Sequence, residues 1–98
     1  MARVLFTISY TIPDESRTEY IQLVSRLRKR VKGQGADYNV YEARHKSGHF
    51  QEVYLYESVT DYEASDDWED EVIDELTEKV HNLAVKGKIE YSTMIERI

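Results

Sequence analysis

The side chains able to do chemistry here are mostly phenols. Eight tyrosines occur in 98 residues, with three histidines, one tryptophan and no cysteine. Thiolate chemistry, disulfides and thiolate-held haem or iron–sulfur centres are therefore excluded. Thr7, Ser9, Tyr54, Tyr56, Trp68 and Met94 stand out as candidate ligand-binding residues, since aromatic walls with a few hydroxyls are the usual lining of a small-molecule pocket. A tyrosine could orient a phenolic substrate or take its proton, but its ordinary pKa near 10 would first have to fall. The only cation placed to do that is Arg44, if its strand turns that way. No metal is expected. His45 and His49 flank a turn, His81 falls on a helix face turned away from the core, and no two of the three have metal-site spacing. All three are expected in solvent. The carboxylates of Asp66, Asp67, Glu69, Asp70 and Glu71 form no calcium loop and read as solubilising.

The elements that must position these residues follow from periodicity. In Arg3–Ile12 the even positions Val4, Phe6, Ile8, Tyr10 and Ile12 are large and apolar or aromatic, and the odd ones are mixed, as in a strand with one core face. Pro13 ends it. Ser16 with Glu19 makes a capping box. Tyr20, Leu23, Val24, Leu27 and Val31 then form one stripe of an amphipathic helix closed by Gly33 and Gly35. Strands are predicted over 37–46 and 50–58, joined as an antiparallel hairpin across Ser47-Gly48-His49. Thr60 with Glu63 caps a short helical turn, a bend falls near Ser65, and a long helix is predicted over 66–85. Its stripe is Trp68, Val72, Leu76, Val80 and Leu83. Gly87 stops it, and a last strand covers 89–97.

Strand, helix, strand, strand, helix, strand with right-handed crossovers gives an α+β, ferredoxin-like βαββαβ plait in one domain, 1–98. Its four-stranded antiparallel sheet has strands one and three in the centre and both helices on one face. That face is expected to take Val4, Phe6, Ile8, Val53, Leu55, Ile89, Tyr91 and Ile95. The opposite face is expected to carry Leu5, Thr7, Ser9, Glu52, Tyr54, Tyr56, Ser92 and Met94, with nothing in the chain left to cover it. Soluble monomers rarely expose such a patch. A homodimer stacked through the sheet face is the expected solution, and the closed pair could enclose a partly polar pocket. The competing reading makes Tyr54, Tyr56 and Met94 plain interface filler.

The run Phe50-Gln51-Glu52-Val53-Tyr54-Leu55-Tyr56-Glu57-Ser58-Val59-Thr60-Asp61-Tyr62-Glu63-Ala64, with the order and lengths of the elements, resembles the dimeric α+β barrel superfamily, in particular its antibiotic biosynthesis monooxygenase-like group. The resemblance covers nearly the whole chain. It implies two sheets paired around a cavity. Some members oxidise aromatic polyketides without metal or cofactor, some degrade haem, and many have no known activity. Where catalytic members carry a Trp at the end of the third strand, this chain has Glu57 and Ser58. Where they carry a His early in the second long helix, it has Asp66, Asp67 and Trp68. In place of the first-strand Asn of haem-degrading members stand Thr7 and Ser9. The implied function is binding of a small aromatic or apolar molecule, with cofactor-independent monooxygenation as the chemistry and no cofactor. The alternative is a non-catalytic structural or regulatory dimer.

Charge and hydropathy set the remaining expectations. Net charge is −6, against nucleic acid as a partner. Arg26, Arg28, Lys29, Arg30 and Lys32 cluster early, whereas Asp61 to Glu78 holds ten carboxylates and no Lys or Arg. Both read as solvated helix faces. The third strand lacks the basic motif of an RNA-recognition plait, and Ile12-Pro13-Asp14-Glu15 is no acylphosphatase anion loop. No apolar run approaches the roughly 20 residues of a membrane span. The start resembles no signal peptide, so a cytoplasmic location is expected.

Overall fold

The computed structural model describes residues 2–98. Strands β1 (Val4–Thr11), β2 (Asp37–Glu42), β3 (His49–Tyr56) and β4 (Glu90–Ile95) form one antiparallel sheet in the order β2-β3-β1-β4. Helices α1 (Arg17–Gly33), α2 (Val59–Ala64) and α3 (Glu71–Asn82) complete the α+β plait. The expected central and edge strands are the observed ones. The β1 core alternation holds: Val4, Ile8 and Tyr10 are buried. So does the α1 stripe, since Tyr20, Leu23, Val24, Leu27 and Val31 are its buried residues. Gly48 closes the β2–β3 connection at φ +84°, where a Cβ would stand 2.9 Å from the Ile12 carbonyl oxygen. Only glycine fits that approach without strain.

The hairpin strands are shorter than their patterns. β2 stops at Glu42, and Arg44 lies exposed in the turn beyond it, not on the sheet. The Ser16 side chain makes no capping bond at α1, and Ser58, not Thr60, caps α2 by accepting from the Asp61 N–H at 3.1 Å.

The long helix differs most. Ser65–Asp67 form a 3-10 turn, Trp68 is extended, and α3 begins only at Glu71. Asp70 is its N-cap, accepting from the N–H groups of Val72 at 3.0 Å and Ile73 at 3.2 Å. Arg30 clamps the same carboxylate with two bonds of 3.1 Å, and Gln34 adds a third. With Trp68 outside the helix, a stripe phased on it is misplaced. The buried set is Ile73, Leu76 and Val80, while Val72 is 37% exposed. At 100° per residue this rotation brings His81 to the edge of the inward face.

A second correction concerns β3. Register pairs Val4 with Tyr56, Phe6 with Tyr54, Ile8 with Glu52 and Tyr10 with Phe50. Directly paired residues share a face, so Glu52, Tyr54 and Tyr56 lie under the helices, and Val53 and Leu55 lie on the open face. Tyr91 and Ile95, paired with Ile8 and Val4, are on the helix side as expected. The open face thus carries Leu5, Thr7, Ser9, Val53, Leu55 and Met94, and no described segment lies over it.

Candidate functional site

Glu52 is fully buried in the middle of the sheet. A bare buried carboxylate is very costly, so its partners explain its presence. Tyr38 Oη donates to Oε1 at 2.6 Å and Tyr10 Oη donates to Oε2 at 2.8 Å. Both tyrosines reach it diagonally, because Tyr10 pairs with Phe50 and Tyr38 with Tyr54, each two residues from Glu52. Tyr20 Oη, from α1, lies 2.9 Å from Tyr10 Oη. Burial, followed by the Glu52 charge, pushes the Tyr10, Tyr38 and Tyr54 phenols far above their usual range. Burial raises Tyr20 and Tyr56 as well. Tyr10 and Tyr38 are locked as donors to Glu52. None of these five raised phenols can serve as a base near neutrality.

The imidazole that could serve is His81. Its Nε2 lies 3.5 Å from Glu52 Oε2, is buried, and has no hydrogen-bond partner. The side chain keeps 17% of its surface in solvent. The ring sits between Tyr10 and Tyr91, at centroid distances of 6.0 and 6.5 Å. The expectation that His81 points away from the core is therefore reversed. His45 is exposed as expected, and His49 is part-buried, its Nδ1 3.4 Å from Thr11 Oγ1. Among the described residues no three of His, Asp or Glu converge as a metal would need.

From His81 an aromatic wall runs along the helix side. Tyr91 stacks on Phe6 at 6.2 Å with an interplanar angle of 15°. Phe6 meets Tyr54 at 5.7 Å and Tyr62 at 6.2 Å, and Tyr62 continues to Tyr56 at 5.3 Å. Trp68 stands 6.1 Å from Tyr56, partly buried against the core. α3 packs on α1 and leaves the β4 flank open. Tyr91 consequently stays 60% exposed on the helix side of its strand.

The six candidate residues fall on two sides of the sheet. Thr7, Ser9 and Met94 lie on the open face, where Ser9 Oγ accepts from Gln51 Nε2 at 3.1 Å. Met94 there borders a shallow depression of about 280 Å³ with Arg3, Leu5, Leu55 and Glu96. Tyr54, Tyr56 and Trp68 belong to the helix side. One pocket cannot hold all six within a protomer. Hydropathy alone sets the Glu52 carboxylate outward, and a helix stripe phased on Trp68 turns His81 away. The signal was present: one β3 phase reads Phe50, Glu52, Tyr54, Tyr56, three aromatics around a single charge.

No family model and no curated protein sequence matches the chain. Solved structures do. A conserved protein from Methanosarcina mazei Go1 superposes with a TM-score of 0.81 at 14% identity, covering 96% of this chain and 92% of that one. SnoaB, a cofactor-independent oxygenase from Streptomyces nogalater, gives 0.79 at 12% identity over 98% and 94%. An antibiotic biosynthesis monooxygenase gives 0.71 at 12% identity over 100% and 98%. The chain has the same α+β plait fold as these structures. At these identities the likeness is one of fold, and function has to be argued from the site.

Proposed function

We propose that the protein binds a small aromatic molecule on the Phe6–Tyr62–Tyr91 wall and acts on it as a cofactor-independent monooxygenase, working as a homodimer joined through the open sheet faces. The observation that carries this reading is Tyr91, 60% exposed and stacked on Phe6, with His81 at its edge. An exposed aromatic face beside a partly open imidazole suits a flat ring with an ionisable group. SnoaB, of like fold, is described as a cofactor-independent oxygenase. Such a reaction balances when the substrate supplies the electrons: a CH₂ activated by the ring loses two hydrogens, one oxygen atom of O₂ becomes its carbonyl, and the other leaves as water. The dimer is supported by Leu5, Val53, Leu55 and Met94, which make the open face more apolar than a monomer's surface should be.

A thermal-shift screen with phenols, quinones and flavins tests the binding, and oxygen uptake with the ligands that bind tests the chemistry. A rise in Tm for phenols, lost in Tyr91→Ala, is expected. No shift with any of them leaves the non-catalytic dimer as the better reading.

A further inference from the structure

We infer that Glu52 and His81 form a proton-abstracting pair, in which the outer nitrogen of His81 takes the hydroxyl proton of a phenol lying on the Tyr91 wall. This rests on the aromatic-ligand reading above and adds the ligand's chemical class and two residue roles.

Glu52 does not need His81 for its own satisfaction. Each carboxylate oxygen already accepts a tyrosine hydroxyl, from Tyr38 and from Tyr10. Yet His81 turns Nε2 inward to 3.5 Å from Oε2, and that nitrogen alone of the two is sealed from solvent without a partner. A carboxylate on one imidazole nitrogen fixes the tautomer, since it favours N–H on the near side and leaves the far nitrogen with its lone pair. Nδ1, the nitrogen that is not sealed off, is then the basic atom. Catalytic hydrogen bonds are often long in a free protein and tighten with ligand bound, so 3.5 Å suits a positioning role.

The step is a proton transfer. The phenol O–H bond breaks with its electron pair kept on oxygen, and an N–H bond forms at Nδ1. The imidazolium carries N–H on both nitrogens and faces the Glu52 carboxylate. Of the phenols, Tyr10 on β1 and Tyr91 on β4 lie near the ring, at centroid distances of 6.0 and 6.5 Å. Burial raises Tyr10, so it does not compete as a base. His81 is thus the catalytic residue and Glu52 the positioning one.

Two measurements test the pair. Long-range nitrogen-15 NMR on the wild-type protein at about pH 8.5, where an ordinary imidazole is neutral, reads the His81 tautomer. A proton on Nε2 is expected, and a proton on Nδ1 overturns the pair whatever binds. Para-nitrophenol then reports ionisation by its visible absorbance, with binding followed separately by equilibrium dialysis. Wild-type protein is expected to enrich bound phenolate about ten-fold over free probe, one unit of apparent pKa. H81Q should still bind, more weakly, and lose the enrichment, while E52Q should lose part of it and shift the tautomer. Absence of binding removes the aromatic-ligand reading and the pair's role with it. Binding with the same enrichment in H81Q, or with none in wild type, overturns the pair and leaves the binding reading standing.

Discussion

At the scale of residues, the protein is marked by how it keeps a carboxylate dry. Tyr38→Phe removes the 2.6 Å donor to Glu52 and nothing else of the ring, so the acceptor is left with one bond fewer. Hydrogen bonds to charged groups contribute about 1.5–3 kcal/mol, and urea unfolding of this variant is expected to show a loss of that size. Glu42 behaves differently. The Arg17 side chain, followed by the Gly48 N–H, holds its pKa down at about 2 from an ordinary 4.5. A carboxyl lowered in the folded state stabilises the protein fully above the ordinary value, and that share is lost as pH falls toward 2. Stability measured from pH 5 to 2 should therefore fall more steeply in wild type than in Glu42→Gln. Equal slopes would mean that the Arg17 pair is without consequence in solution.

At the scale of elements, the decisive contact is Asp70, where α1 sets the start of α3. Asp70→Ala removes the cap and the partner of Arg30 and Gln34 together. A lost N-cap costs about 1 kcal/mol, so Tm should drop by roughly 4–8 °C, with hydrogen exchange accelerated first in the opening turn of α3. The strands and α1 were legible because period-two and helical stripes are local. The α3 boundary was not, because Ser65, Asp66, Asp67 and Asp70 are all competent caps, and the choice among them is made by Arg30 from a distant helix. In β3 two signals compete: three aromatics share the phase of Glu52, yet hydropathy puts the acid outside, and the Tyr10 and Tyr38 hydroxyls bring it in. Both errors hid the same site, since one turned Glu52 away and the other His81.

At the scale of the whole molecule, the open sheet face sets the expected assembly. A 98-residue chain of 11.6 kDa with Leu5, Val53, Leu55 and Met94 on one uncovered face should sediment as a particle of twice that mass. Leu55→Arg places a charge in the middle of that face and is expected to shift the particle toward the monomer at micromolar concentration, with the fold intact by circular dichroism. A wild-type monomer would remove the barrel. The fold class was readable at this scale because element order leaves few topologies, whereas an aromatic wall spread over β1, β3, β4 and α2 has no linear signature.

The ring around Glu52 has one more consequence. Its donors come from both strands that flank β3, with His81 alongside from α3. Sliding β3 by a single residue would swing the acid out to the open face and send Val53 or Gln51 under two stranded phenols, a loss felt at three elements at once. A neighbour of plain leucines would forgive such a slip. This one proofreads the alignment of the sheet through the two hydroxyls that Glu52 accepts.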